Sequence, residues 1–327
     1  GTTGLFAGGL QSPSTSYNIT EEYNETTGTC IGTWSLGGNM ITATDQVGGA
    51  GTRTAALAIG GRAPSATTKT EEYNGTNWSV GGAMSGARYT VSLGFGTQNA
   101  AGATGGAPTA GCLTEHYDGT SWSSGGTRNC NQNSGGSSGT QNAAFYTSGY
   151  LAPANRNFTE NYDGTTWTNS GALSTPRYNL AVGGSQNSGF AAGGNVISPT
   201  NHSNITEEYN GSTWSTGGNL NFSRRAFTGF GASQEGGTAI GGFTPAYLAN
   251  NERYNGYVWS LDTPMLQKKQ AMGAAKQGTF TSALVFGGGQ APDAGKISTT
   301  EEFECGSNQI AGAGLQCFIA NVTMETE

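Results

Sequence analysis

Hydrophobic and polar residues alternate in short runs along the whole chain, and no stretch keeps the period of a helix. An apolar run that ends in Gly-Gly is followed by a loop, then the strand-like phrase "TEEY", then a return of the form "TxWS". Asn-Gly or Asp-Gly usually separates the last two, which suits the two-residue turn of a hairpin. The pattern therefore predicts short antiparallel strands throughout, that is, an all-β chain.

The same phrase recurs at a nearly constant interval. A tryptophan follows the aromatic residue of the phrase in five copies; in the first copy Trp34 is displaced by an insertion, and the last copy has none. A fourth run, such as "PRYNLAVGG", precedes the next apolar run. Four short strands in each period predict one propeller blade per repeat. The repeated aromatic residues are 44 to 50 positions apart, at Tyr23, Tyr73, Tyr117, Tyr162, Tyr209, Tyr254 and Phe303.

An apolar strand ending in Gly-Gly, then a tyrosine, then a tryptophan shortly after it resembles the kelch repeat. The resemblance covers residues 1 to about 306. It implies a seven-bladed β-propeller of four-stranded kelch-like blades, with residues 1–327 as a single domain. Only six of the intervening runs are visible, so we expect residues 313–321 to complete the blade shared by the termini. Pairing of N- and C-terminal segments would then close the ring and protect its sheet edges.

The repeated phrase is expected to serve the scaffold. Its tyrosine and tryptophan would fill the space between adjacent sheets, and its glutamate would pair with one of the basic residues Arg88, Arg128, Arg177, Arg224 and Lys268. Binding is expected where the copies differ, in the loops between Gly-Gly and Thr-Glu, which we place on one face. These loops carry the candidate ligand- or partner-binding residues Tyr17, Arg62, Tyr150, Arg156, His202, Phe243 and Tyr247.

Composition argues against several functional classes. The net charge is −7, so the basic footprint of a nucleic-acid-binding protein is missing. No apolar run approaches the roughly 20 residues of a membrane helix. The two histidines, His116 and His202, are too few for the copper centre of kelch-like oxidases, and "YDGTTW" lacks the spacing of the Asp-box of sialidases. We expect no enzyme activity, no catalytic residues, no metal and no cofactor.

The five cysteines leave the disulfide pattern open. None of them forms a C-x-x-C pair, which argues against a zinc site. Cys305 and Cys317 are close enough in sequence to bridge, as are Cys112 and Cys130, and the pairing of Cys30 is open as well. Five free thiols are the alternative.

The nearly identical polar repeats resemble kelch-like repeat proteins of tailed-phage particles. This resemblance implies a non-enzymatic structural or receptor-binding component of a virion surface, tail or fibre, or of another extracellular assembly. Its partners would be further copies of the chain, other virion or surface proteins, or a host-surface glycan, with no nucleic acid and no membrane insertion. A secreted lectin-like module and an intracellular kelch-type adaptor for peptides are the alternatives.

Overall fold

The computed structural model describes residues 3–11, 15–24, 32–90, 94–108, 112–129, 132–196, 202–290 and 295–305. Contacts between residues divide the chain into two compact units, residues 1–32 with 305–327 and residues 33–304. The described residues form 31 strands, in agreement with the predicted all-β class. Within those ranges there is no helix, and hence none that could cross a membrane.

In the first unit, the described residues form one antiparallel hairpin. Its strands are Thr3–Gln11 (β1) and Thr15–Asn24 (β2), with an irregular register between Ala7 and Gly9. They are the apolar run and the "TEEY" phrase of the first repeat. Both segments were predicted as strands, and they pair antiparallel to each other.

The second unit contains six four-stranded antiparallel sheets, which we number 1 to 6 in chain order. Every sheet follows the predicted order: an inner strand, the apolar strand, the "TEEY"-type strand and the tryptophan strand. The unit begins with Thr33–Gly37 (β3); sheet 1 has Gly48–Thr52 (β4), Ala55–Ile59 (β5), Thr70–Tyr73 (β6) and Trp78–Val80 (β7). Sheet 2 has Gly94–Thr97 (β9), Ala100–Thr104 (β10), Leu113–Tyr117 (β12) and Trp122–Thr127 (β13). Two short strands, Arg88–Tyr89 (β8) and Ala107–Pro108 (β11), pair with each other.

The remaining strands complete sheets 3 to 6. Sheet 3 has Gly136–Thr140 (β14), Ala143–Leu151 (β15), Ala154–Tyr162 (β16) and Trp167–Ser170 (β17), and sheet 4 has Ala181–Ser185 (β18), Ser188–Ala192 (β19), Thr206–Tyr209 (β20) and Trp214–Thr216 (β21). Sheet 5 has Thr228–Gly231 (β22), Gly237–Ile240 (β23), Asn251–Tyr254 (β24) and Trp259–Asp262 (β25). The last strands are Lys269–Gln270 (β26), Gly273–Ala274 (β27), Ser282–Phe286 (β28), Gly289–Gln290 (β29), Gly295–Lys296 (β30) and Thr300–Glu304 (β31). Sheet 6 consists of β27, β28, β31 and β3, and β26, β29 and β30 form a small three-stranded sheet.

Sheet 6 joins the two ends of the second unit. Strand β3 pairs with β31 so that Trp34 lies opposite Phe303, as Trp78 lies opposite Tyr73 in sheet 1. Trp34, the displaced tryptophan of the first repeat, therefore takes the tryptophan position that is missing from the last repeat. Because the first repeat gives this strand to the last, the described residues contain six four-stranded sheets where seven were expected. The predicted strand at 313–321 lies outside the described residues.

The inner strands pack against one another in order around the unit. Contacts join β4 to β9, β9 to β14, β14 to β18, β18 to β22, β22 to β27, and β27 back to β4. The approach is close enough that a Cβ on Gly49 of sheet 1 would clash with the carbonyl of Ala274 in sheet 6, which explains why the inner strands are rich in glycine. The result is a β-propeller-like all-β fold.

A chain of backbone hydrogen bonds runs through the residues that precede the inner strands. Thr90 N donates to Gln46 O (3.0 Å), Gln46 N to Ala271 O (2.7 Å), Ala271 N to Ala226 O (2.7 Å), Ala226 N to Asn179 O (2.9 Å) and Asn179 N to Ser134 O (2.7 Å). Five of these six residues have a positive φ, between 51° and 58°. Residues other than glycine adopt this backbone conformation at some cost. One residue before the inner strand of each sheet takes part. We call this set the axial belt: Gln46, Thr90, Ser134, Asn179, Ala226 and Ala271.

The segment that follows β27 crosses between the inner strands. Lys276 Nζ donates to Gly229 O in sheet 5 (2.7 Å) and to Val182 O in sheet 4 (3.3 Å). Gln277 donates from its backbone to Gly51 O in sheet 1 (2.8 Å) and from its side chain to Gly139 O in sheet 3 (3.1 Å). This segment of sheet 6 therefore contacts four other sheets and fills the space between their inner strands.

Between adjacent sheets, the repeated residues make repeated contacts. The indole of Trp78 donates to Thr300 Oγ1 at 2.9 Å, and the hydroxyl of Tyr73 donates to Glu302, so both residues join sheet 1 to sheet 6. The scaffold role predicted for the tyrosine and tryptophan is confirmed by these bonds. The same indole bond, always 2.9 Å long, joins Trp122 to Thr70, Trp167 to Thr114, Trp214 to Thr159 and Trp259 to Thr206.

Buried ion pairs join a basic residue in the run before the inner strand to a glutamate in each of sheets 2 to 6. Four of the predicted basic partners are confirmed: Arg88 pairs with Glu115 (2.7 Å), Arg177 with Glu207 (3.0 Å), Arg128 with Glu160 (3.8 Å) and Arg224 with Glu252. Lys268 was wrong. Its neighbour Lys269 pairs with Glu301 at 2.8 Å, because Lys269 stands two residues before the axial belt, as Arg224 does.

The described cysteines differ in state. Cys112 is a free thiol, so the suggested bridge between Cys112 and Cys130 is absent. Cys305 is disulfide-bonded, which rules out five free thiols. The positions of Cys30, Cys130 and Cys317 lie outside the described residues.

Candidate ligand-binding site on the loop face

The Gly-Gly pair that ends each apolar strand directs the following loop toward the axial belt. In sheet 5, Gly241 and Gly242 have φ of +64° and +103°, values that glycine tolerates because it has no Cβ. Phe243 then pairs with Arg225, the residue directly before the axial belt. We call the surface built by these pairs the loop face. Its other pairs are Arg62 with Asp45, Ala107 with Tyr89, Tyr150 with Asn133, Asn195 with Tyr178 and Gly289 with Gln270.

Two adjoining cavities open on this face. The outer cavity, about 300 Å³, lies between the loops of sheets 4 and 5. The axial cavity, about 180 Å³, lies over the axial belt. Arg225 lines both. The other residues of the outer cavity are Tyr178, Asn195, Val196 and His202, and those of the axial cavity are Asp45, Gln46, Arg62, Asn179, Ala226, Gln270 and Ala271.

Arg225 is the cation that the two cavities share. Its guanidinium carbon lies 5.1 Å from the ring centroid of Phe243, within the range of a cation–π contact. Its Nε is buried without a hydrogen-bond partner. Among the described residues, its side chain forms no ion pair with a carboxylate, in contrast to the adjacent Arg224. Arg225 therefore brings a partly buried positive charge that no carboxylate of the described residues compensates.

The second arginine of the face is compensated. Arg62 donates through Nε and one terminal nitrogen to the two carboxylate oxygens of Asp45, at 3.1 and 2.8 Å. This bidentate hydrogen bonding raises the pKa of Arg62. Asp45 forms its ion pair with Arg62, at 2.8 Å, and among the described residues it forms none with Arg225.

Aromatic rings form the wall on the side of sheets 4 and 5. His202 packs edge-on to Phe243, with centroids 5.9 Å apart, and Phe243 packs edge-on to Tyr247 at 5.7 Å. Tyr150 lies 5.4 Å from Tyr178. Burial, and then the charge of Arg225, lowers the pKa of His202 and so favours its neutral imidazole.

The structure brings together part of the predicted site. Arg62 and His202 line the cavities, and Tyr150, Phe243 and Tyr247 support their aromatic wall. Arg156 lies on the same face, paired with Gly149, but lines neither cavity. Tyr17 is in β2, in the other compact unit.

Sequence reasoning missed Arg225 and Tyr178, because both lie in the run before the inner strand rather than in the loops. A signal was present in the doublet Arg224-Arg225. The buried glutamate of sheet 5 accepts only the first arginine, so the second must lie elsewhere.

Within the described ranges, no group of three or more His, Cys, Asp or Glu side chains could hold a metal ion. Neither a protein-family model nor a curated protein matches this chain.

Proposed function

We propose that residues 33–304 form a six-bladed β-propeller, closed by the pairing of β3 with β31, whose loop face binds an extracellular ligand without catalysing a reaction. The interior supports this proposal because its recurring residues are engaged with one another. The tryptophans of the repeat make the same contact from sheet to sheet, as at Trp167–Thr114 and Trp259–Thr206, and five of the sheets have a glutamate in a buried ion pair. Among the described residues, these repeated groups therefore hold the sheets together.

The observation that carries the proposal is the pair of adjoining cavities on the loop face. Equivalent positions there hold different residues: the partner of the residue before the axial belt is Arg62 in sheet 1, Tyr150 in sheet 3, Asn195 in sheet 4 and Phe243 in sheet 5. A surface that is the same in every sheet serves the scaffold, whereas one patch of aromatic, amide and guanidinium groups beside a cavity suits ligand binding. The volume of the outer cavity, about 300 Å³, lies at the lower end of the range for ligand pockets.

A binding screen with a matched pair of variants tests the proposal. Extracellular glycans and surface proteins are screened against the wild type, Tyr178→Ala and Tyr257→Ala. Tyr178 lines the outer cavity, whereas Tyr257 is an exposed tyrosine in the turn between β24 and β25. We expect Tyr178→Ala to weaken binding at least about tenfold, the scale of an aromatic contact in an interface core, and Tyr257→Ala to leave it unchanged. Equal binding by all three proteins would place the ligand elsewhere.

A structural role in an assembly, at a virion surface or in another extracellular particle, is the second candidate. The outermost strands of three consecutive sheets expose an apolar residue at one equivalent position: Leu261 in sheet 5, Leu36 in sheet 6 and Val80 in sheet 1. Sheets 2 to 4 have Ser124, Asn169 and Thr216 there. Exposed apolar edge strands favour pairing with another chain, and we propose a second copy of this protein as the partner.

Light scattering at physiological salt tests this second candidate. The wild type is compared with Leu36→Ser/Val80→Asn/Leu261→Thr, which gives the apolar edge the residues of sheets 2 to 4. We expect the wild type to form a defined oligomer and the variant to run as a 33.3 kDa monomer. A monomeric wild type would leave the free binding module as the better proposal.

A further inference from the structure

We infer that the loop face binds the carboxylate group of an acidic saccharide and that Arg225 holds that carboxylate. The inference rests on the proposed binding function and names its ligand class. It starts from the guanidinium of Arg225, which lines both cavities and forms no ion pair with a carboxylate of the described residues. Burying a charge without a counter-charge is costly, so the site gains most from a ligand that brings one.

A carboxylate fits this cation in both charge and shape. A guanidinium presents parallel N–H groups that match the two oxygens of a carboxylate. The cavity offers one uncompensated positive charge, since Arg62 is bound by Asp45 through both carboxylate oxygens. The Asp45 carboxylate beside the axial cavity disfavours a ligand that concentrates two negative charges on one group, such as a phosphate ester.

The remaining walls favour a saccharide as the carrier of the carboxylate. Tyr178 and His202 offer ring surface to the apolar face of a pyranose, and both combine an apolar body with a polar tip. The carboxamides of Asn195 and Asn179, one in each cavity, provide both donors and acceptors for hydroxyl groups. Arg225 stands where the two cavities meet, so one sugar unit held there could have neighbouring units on either side.

Calorimetric titration with trigalacturonate and with its fully methyl-esterified form tests the inference. The ester keeps the sugar units and loses the charge. We expect the wild type to bind the acid about 10- to 100-fold more tightly than the ester, the scale of a hydrogen bond to a charged group. Arg225→Gln should abolish this preference, and Arg225→Lys, which keeps the charge without the planar fork, should retain part of it.

The matched control is Arg156→Gln, which removes a positive charge from the same face at a residue that lines neither cavity. This variant should keep the preference for the acid. Loss of the preference in Arg156→Gln to the same extent as in Arg225→Gln would mean that the overall field attracts the ligand, and would overturn the assigned role of Arg225. Unchanged thermal unfolding of each variant separates lost binding from lost folding.

The outcomes separate this inference from the proposed function. Equal binding of acid and ester, unaffected by Arg225→Gln, would overturn the carboxylate site and leave a saccharide-binding loop face in place. Absence of binding for both would overturn the acidic-saccharide ligand, while the screen with Tyr178→Ala, which includes proteins and neutral glycans, decides the binding function by itself.

Discussion

The repeated residues behave in opposite ways in two regions of the molecule. Their contacts recur between the sheets, whereas their identities differ on the loop face. Between sheets, a given position makes the same contact again and again: the indole of Trp122 bonds to Thr70 as that of Trp167 bonds to Thr114. On the loop face, equivalent positions hold an arginine, a tyrosine, an asparagine and a phenylalanine. Repetition therefore identifies the residues that hold sheets together, and variation identifies the surface that can be specific.

Even between sheets, a changed residue is matched by a change in its partner. The tyrosine hydroxyl of one sheet usually bonds to a carboxylate of the previous sheet, as Tyr117 does to Glu72. Tyr162 instead bonds to His116 (2.8 Å), whose pKa is lowered by burial. Where Phe303 replaces the tyrosine, Arg253 replaces the acid and its guanidinium carbon lies 5.6 Å from the ring centroid. The interior requires a complementary pair, whichever residues supply it.

Truncation of Trp34 is the strongest test of the interior. If β3 completes sheet 6, Trp34→Ala removes a buried indole, together with its bond to Thr263 O (2.9 Å), and should cost about 3–5 kcal/mol of unfolding free energy. Trp167→Ala in sheet 3 is the control and should cost the same. Urea unfolding followed by circular dichroism measures both. A loss below about 1 kcal/mol for Trp34 alone would mean that β3 is not part of the sheet in solution.

Breaking one buried ion pair should have the next largest effect. Arg224→Met leaves the buried Glu252 without its cation and should cost about 3 kcal/mol, the lower end for such pairs. The lower end is expected because Glu252 still accepts from the backbone and side-chain nitrogens of Asn221, both at 2.8 Å. The double variant Arg224→Met/Glu252→Leu should recover most of this loss. A double variant less stable than Arg224→Met in urea unfolding would contradict a dominant cost of the unpaired charge.

Lys276 should give the unit a pH-dependent stability. Burial lowers its pKa from 10.5 to about 7, so between these values the lysine is neutral in the folded protein and protonated in the unfolded chain. Unfolding then takes up a proton, and the free energy of unfolding should rise with pH by about 1.4 kcal/mol per unit. Lys276→Met should lack this slope. Unfolding free energies measured from pH 7.5 to 9 that run parallel for the two proteins would contradict it.

The strands and their repeat could be predicted from the sequence because each depends on local pattern, but the pairing of β3 with β31 could not. Strand β3 could have paired either with "TEEY" at residues 20–23 or with "TEEF" at residues 300–303, whose sequences are almost identical. Eight residues, 25–32, stand between β2 and β3 in the sequence where the other repeats have a two-residue turn. Without that turn, the sequence no longer favours pairing of β3 with residues 20–23 over pairing with residues 300–303. Likewise, loop composition indicated the correct face, but only the pairing of Arg225 with Phe243 places that arginine at the cavities.

Arg225→Gln should have the smallest effect on stability and so separate the two regions most clearly. The substitution removes a cation–π contact with Phe243, worth about 0.5–1 kcal/mol at such sites, and also removes a buried Nε that has no partner. Because these two effects oppose each other, we expect a change within about 0.5 kcal/mol in urea unfolding. Arg224→Met, one residue earlier in the chain, is the comparison, with about 3 kcal/mol expected. Similar losses at both positions would mean that Arg225 belongs to the scaffold, since an arginine kept for a ligand contributes little to folding when the ligand is absent.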